Sequence, residues 1–370
     1  MTTASKERDV VRELAGSVAE IARTPRMAAI RKRWCDVNAL RTPDRAPVWC
    51  RPVGCWREII PENALVCADP WLRQLEYGFR QILHKRDIND DTPVDPHFTV
   101  QAVFRREPEN TWGVDVGRHC SDVEGGSWAY DPPLKCAEDF GRLRIPTFTY
   151  DDGATRRRLE ETEALLDGII PVRLGAGPPL SATLGTAAAD LRGLGQMMLD
   201  MAAEPALMHR LMAFLRDAAL SAMDQVEATG LIAGNNTGPM TCSDPLGQPP
   251  PDGKLGWKHL WCMANSQEFD RVSPSMWEEF CLNYQKPIFA RFGLVGYGCC
   301  ENLTQKIDGV LSIPNLRIFV CSAWTSLDAV LERVGRDFCI MWRQKASDVV
   351  FAADAATIKR DLENGAKRLR

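Results

Sequence analysis

Apolar and polar positions along the chain repeat with two periods. Leu207, Leu211, Phe214, Leu215, Ala218, Ala222 and Val226 recur at helical spacing, with Pro205 in the first turn and Gly230 just past the end, which predicts a helix over 205–227. Ser273 and Pro274, followed by Met276, Trp277, Phe280, Tyr284, Ile288 and Phe289, predict a second helix that Gly293 stops. Short apolar runs of strand length lie at 231–233, near 261, and at 294–300, 317–322 and 337–342. Helical patterns over 303–311, 326–334 and 355–369 separate or follow them. Upstream, strands are expected at 47–51, 112–116 and 169–174. Residues 1–45 read as an Arg-rich helical extension, and residues 53–111 as a helical excursion interrupted by prolines.

Strands that alternate with helices in this way predict βαβ units and a parallel sheet. The strand count is seven, or eight if the runs at 232 and 261 both join the sheet. Either number points to a (β/α)8 TIM barrel over 46–370, preceded by the helical extension 1–45. The chain ends on a helix, so the last βα unit is expected beyond residue 370. An open dinucleotide-binding sheet is the weaker expectation, because no G-x-G-x-x-G follows a strand and no Walker A sequence occurs. Residues 237–258 contain GPMTCSDPLGQPPPDGK, an irregular segment expected as a lid or a linker.

Charge and cysteine usage narrow the setting. The 45 basic and 49 acidic residues leave a net charge of −4, so no global field exists to hold nucleic acid or an anionic membrane. No stretch approaches the roughly 18 consecutive apolar residues of a membrane span. The first residues are polar and charged, and a signal peptide is not expected. Thirteen cysteines, an odd number scattered from Cys35 to Cys339, match a disulfide framework poorly, so reduced thiols and a cytoplasmic location are expected.

In a barrel the chemistry sits at the carboxyl ends of the strands. The residues there are Arg51, Asp115, Asn235, Gln267 with Glu268, Cys299 to Glu301, Trp324, and Arg343 with Lys345. In Tyr297-Gly298-Cys299-Cys300-Glu301, strand alternation puts Tyr297, Cys299 and Glu301 on one face and Cys300 on the other. Cys299 and Glu301 would then ligate one zinc together, or the cysteines are small core residues. His259 is the third candidate ligand, or a proton carrier. Catalytic roles are expected for Glu301, Glu268, Arg51 and Tyr297. Substrate contacts are expected from Arg51, as a carboxylate clamp, and from Asp115, Asn235, Gln267, Trp324 and Lys345.

The stretch SQEFDRVSPSMWEEFCLNYQKPIFARFGLVGYGCCENL, with IPNLRIFVCSAW after it, resembles the uroporphyrinogen decarboxylase superfamily. More narrowly it is similar to the corrinoid-dependent methyltransferases and O-demethylase components, in which Tyr-Gly-Cys-Cys-Glu and Ser-Pro-x-Met recur. PVWCRPVG, which contains Arg51, is similar to the PVW-x-x-R first-strand motif of the decarboxylases. The resemblance spans most of residues 45–345. It implies a TIM barrel that demethylates a small methyl ether, amine or thioether and passes the methyl group to a corrinoid. No Asp-x-His-x-x-Gly corrinoid motif is present, so the corrinoid is expected on a partner protein, with a homodimer also compatible.

Two departures qualify the likeness. The zinc methyltransferases carry His-x-Cys where this chain has Tyr297-Gly298-Cys299, and the decarboxylases carry Phe-Asp-Ser where it has Ser266-Gln267-Glu268. The second departure argues against a porphyrinogen substrate. The alternative activity is a decarboxylase or lyase, with Arg51 and Lys345 holding substrate carboxylates. A barrel that only binds a small molecule is the remaining class.

Overall fold

Ten strands form in the computed structural model, which describes residues 3–52, 54–123, 126–248 and 250–369. In chain order they are β1 (Phe98–Gln101), β2 (Phe104–Glu107), β3 (Gly117–Cys120), β4 (Trp128–Asp131), β5 (Thr147–Tyr150), β6 (Val172–Gly175), β7 (Trp261–Ala264), β8 (Leu294–Tyr297), β9 (Leu316–Cys321) and β10 (Cys339–Trp342). The chain divides into two units. One comprises residues 1–103, 151–177 and 233–245, and the other 104–150, 178–232 and 246–370.

The first unit is mainly helical. Helices Thr3–Ala22, Pro25–Asn38, Pro70–Ile88 and Asp152–Leu166 accompany β1 and β6, which pair in parallel with Val100 opposite Leu174. Val11, Ala15, Val18, Met27, Ile30, Trp34, Leu72, Phe79 and Leu165 fill its core. Two of these helices start at a visible local cause. Thr24 and Asp69 cap the second and third helices through their side chains, and Pro25 and Pro70 follow at the first helical position, where the missing N–H costs nothing. A buried carboxylate, Asp91, ties the loop after the third helix to the second helix through Arg33 at 2.7 Å.

The second unit is built on a fully parallel sheet in the order β10-β9-β8-β7. Burial on both faces explains its near-continuous apolar strands, such as Leu316–Cys321. The helix Pro205–Glu227 buries Met208, Leu211, Leu215, Ala218, Ala222 and Val226, the stripe its periodicity predicts. Ser273 accepts the N–H of Met276 and starts a continuous helical stretch that runs to Phe289 and passes through a π-turn at Glu278–Leu282. Two antiparallel pairs, β2 with β5 and β3 with β4, belong to the same unit, and every residue of β3 and β4 is exposed. Among the described residues no helix is long and apolar enough to cross a membrane.

The expected (β/α)8 barrel is not formed. The described strands make one sheet of four, one parallel pair and two antiparallel pairs, and none closes on itself. Three expected strands fail for identifiable reasons. At 47–51 the backbone donors go to side chains: Val48 N–H to Asp91 at 2.7 Å and Cys50 N–H to Asp90 at 2.9 Å, so no ladder is possible. At 112–116 the chain bends, with positive φ at Thr111 and Gly113. At 231–233 a single bridging bond forms, from Ala233 N–H to the Ala176 carbonyl at 3.2 Å. The excursion over 53–111 contains the unanticipated strands β1 and β2 beside its helices.

Candidate functional site

Because β7 to β10 are parallel, the four segments that follow them emerge at one rim of the sheet. Glu301 fastens that rim. It is 2% exposed, and one carboxylate oxygen accepts the Ser266 N–H at 2.8 Å while the other accepts the Cys299 N–H at 2.9 Å. Its carbonyl accepts the hydroxyls of Ser322 and Thr325, so three of the four segments are joined through one residue. Both carboxylate oxygens are thus engaged by the chain itself. Tyr297 is fully buried against Trp277 and Phe289, and its hydroxyl donates to Gln285 at 2.9 Å. Burial raises the phenol well above its ordinary value, and the ring acts as core. Gln285 in turn donates to the carbonyls of Ala182 and Asn265, holding the loop before the helix Leu184–Arg192 against the β7 end.

The two cysteines do not face apart. Beyond Tyr297 the chain leaves the strand through Gly298, where a φ of +113° and a Val320 carbonyl that an added Cβ would meet at 2.8 Å exclude a side chain. The bend at 299–301 breaks the strand alternation and brings the Cys299 and Cys300 sulfurs to 3.7 Å. Arg343 donates to the Cys299 carbonyl at 2.9 Å and places the same nitrogen 3.5 Å and 3.8 Å from the two sulfurs.

This donor set does not fit a zinc centre. The Glu301 oxygens accept backbone N–H groups, and the Cys299 sulfur sits beside a guanidinium. His259 precedes β7, at the opposite end of the strand from Cys299 and Glu301, on the order of 13 Å away by strand rise. Its Nδ1 accepts the Gly256 N–H at 3.0 Å and its Nε2 donates to the Gln248 carbonyl at 3.3 Å. Among the described residues no group of three or more His, Cys, Asp or Glu is placed to hold a metal ion.

A cavity of about 280 Å³ lies beside the β7 end of the rim. Trp112, Leu180, Leu184, Ala187 and Leu215 supply its apolar wall, and Ser181, Thr183, Thr186 and Asp190 its polar groups. Thr183, Thr186 and Asp190 stand at i, i+3 and i+7 across the start of the helix Leu184–Arg192 and so share one face. Glu268 accepts the Thr186 hydroxyl at 2.7 Å with one oxygen, and its other oxygen is buried with no hydrogen-bond partner. That second oxygen packs over Gly185, where a Cβ would meet it at 2.6 Å. Burial, and then the charge of Glu268, raise the Asp190 carboxyl above its ordinary value. The arrangement sets against the cavity a carboxyl that holds its proton more tightly than an ordinary one, a group suited to proton transfer.

The remaining expected residues are dispersed. Arg51 is exposed in the first unit, where it stacks over Trp49 at 5.4 Å, and Asn235 lies in the same unit with its carbonyl accepting the Thr241 hydroxyl. Asp115 accepts the Asn110 amide on an exposed bend. Gln267 is exposed and donates to Asn265. Lys345 lies over the Trp324 ring at 5.0 Å, with Trp324 61% exposed, so those two do meet at the rim. Sequence reasoning selected Glu268 and overlooked Asp190, Thr183 and Thr186, which precede or occupy a helix and follow no expected strand end. Their signal was the polar i, i+3, i+7 spacing within an otherwise apolar TLGTAAAD.

No family model matches the chain, and no curated protein matches it. Among solved structures, a methyltransferase from Methanosarcina mazei is similar to it at a TM-score of 0.43 and 11% identity, over 84% of this chain and 81% of that one.

Proposed function

We propose that the chain is a methyltransferase that removes a methyl group from a small, uncharged or cationic donor held in the Trp112–Asp190 cavity. The single observation behind this is the pairing of Asp190, raised by burial and by Glu268, with a largely apolar cavity. Trp112 and the leucines hold the body of the donor, and Thr183 and Thr186 orient its heteroatom. With an uncharged donor, Asp190 passes its proton to that heteroatom as the bond to the methyl carbon breaks, which spares the departing group a bare negative charge, while a cationic donor departs as a neutral molecule and needs no such proton. Burial and then Glu268 make Asp190 hold that proton more tightly than an ordinary carboxyl would. A corrinoid on a separate cytoplasmic protein supplies the methyl acceptor, in line with the Tyr-Gly-Cys-Cys-Glu and Ser-Pro-x-Met likeness.

A lyase acting on a carboxylated molecule finds less support. The cavity lining includes no lysine, arginine or histidine, so a substrate carboxylate would find no cation to pair with. The test is to mix the purified chain with cob(I)alamin and, in turn, an aryl methyl ether, trimethylamine and dimethyl sulfide, and to follow the visible spectrum of the corrinoid. A donor-dependent change that Asp190→Asn abolishes is expected. No change with any donor between pH 5 and pH 8 would sink the proposal.

A further inference from the structure

One cluster of nucleophilic side chains takes no part in the reaction proposed above. Cys299 and Cys300 are adjacent in sequence, yet their sulfurs stand 3.7 Å apart, at van der Waals contact and on the same side of the chain. Three features hold them so. Gly298 permits the turn, Glu301 grips the Cys299 N–H, and Arg343 binds the Cys299 carbonyl. Cys300 is exposed and Cys299 half-buried, so the pair is open to a small molecule. Of the other eleven thiols, Cys67, Cys242, Cys262, Cys281, Cys321 and Cys339 are buried, Cys35 is half-buried and hydrogen-bonded to the buried Cys242, and Cys50, Cys55, Cys120 and Cys136 are exposed.

We propose that Cys299 and Cys300 form a dithiol site that reacts with low-molecular-weight disulfides. The Arg343 guanidinium lies nearer the Cys299 sulfur, at 3.5 Å against 3.8 Å for Cys300, and this placement makes Cys299 the attacking group. The Cys299 thiolate attacks one sulfur of the small disulfide. A bond forms between Cys299 and that sulfur, the original disulfide bond breaks, and one thiolate leaves and is protonated by solvent. Cys300 then loses its proton to solvent and attacks the Cys299 sulfur, expelling the second small thiolate and closing a Cys299–Cys300 disulfide. Two protein thiols are oxidised, one small disulfide is reduced to two thiols, and the electrons balance.

The experiment uses the full chain and glutathione disulfide, with thiol mapping by alkylation before and after reduction. Wild-type protein is expected to lose two hydrogens and to protect Cys299 and Cys300 together from the first alkylation, faster than Cys50, Cys55, Cys120 or Cys136 reacts. Cys300→Ser is expected to stop at a glutathione adduct on Cys299. Arg343→Gln should slow the reaction about fivefold, the size of a unit charge at this distance in water, and Arg343→Lys should restore most of it. The circular dichroism of each variant confirms that it is folded. A pair that remains fully alkylated in the first step, or a Cys300→Ser protein with no adduct on Cys299, overturns the proposal. Neither readout depends on methyl transfer.

Discussion

Glu301 and Ser266 are bonded across the rim of the sheet, the carboxylate of one accepting the backbone N–H of the other at 2.8 Å while its second oxygen holds Cys299. Replacing Glu301 by Ala strands the buried Ser266 N–H and the part-buried Cys299 N–H, at a cost of roughly 2–4 kcal/mol. Urea unfolding of Glu301→Ala should show a lower midpoint with an unchanged slope. The same variant bears on zinc: wild-type protein is expected to keep its midpoint when EDTA is added. A large drop with EDTA would mean that Glu301 works as a ligand.

Asp190 and Glu268 make opposite demands on stability and activity. Asp190 is raised, so the native state binds its proton more tightly than the unfolded chain does, and stability falls as the pH rises through the raised value. Asp190→Asn removes that penalty and should raise the Tm by roughly 1–2 °C at pH 7. Methyl transfer should drop by about 10²–10⁴ in the same variant.

Glu268→Gln removes the neighbouring charge that, after burial, helps to raise the Asp190 carboxyl. Activity should decline through the Asp190 titration, and in Glu268→Gln this descending limb should move to lower pH. An unchanged profile would detach Glu268 from the site.

Asp91 anchors the first unit. Burial alone would raise its carboxyl, but Arg45, the Val48 N–H and Arg33 outweigh burial and hold it below the ordinary value of 3.8. Its stabilising contribution is complete above that ordinary value and is lost as the pH falls through the lowered one. Asp91→Asn should cost about 3 kcal/mol, since it leaves the Arg33 side chain, 8% exposed, with one fewer partner. Arg45→Gln, at a position 49% exposed, should cost less than about 1 kcal/mol.

Arg192 and Asp200 form a second buried pair at 2.7 Å, with side chains 6% and 3% exposed, and Arg192 also donates to the Leu134 carbonyl. Asp200→Ala should cost about 3–5 kcal/mol by leaving that guanidinium unpaired. Changing both residues to apolar side chains should recover part of the loss, measurable as a non-additive double-mutant cycle.

Local signals in the sequence were strong where side chains alone decide the outcome. Pro205 and Ser273 start their helices where expected, and the strands near 172, 261, 294, 316 and 339 form. The barrel was misjudged because apolar runs at 47–51 and 112–116 look like strands, whereas their backbone donors are taken by Asp90 and Asp91 or lost to a turn at Thr111 and Gly113. Those partners are distant in sequence or conformational, and periodicity does not register them. The site was half legible for the same reason. Glu268 follows a strand, while Asp190 gains its character from burial and from a carboxylate 78 positions away, neither of which its local sequence shows.

The division of the chain into interleaved stretches bears on its synthesis. The first unit needs residues 1–103, 151–177 and 233–245, and Asn38 on its second helix donates to the carbonyls of Met240 and Cys242. At about 5–20 residues per second, Asn38 leaves the ribosome on the order of 10–40 s before those partners exist. Over that interval these two bonds are unmade, and truncation anywhere before residue 240 would leave them so permanently. The unit that starts first can therefore be completed only after two-thirds of the protein has been made.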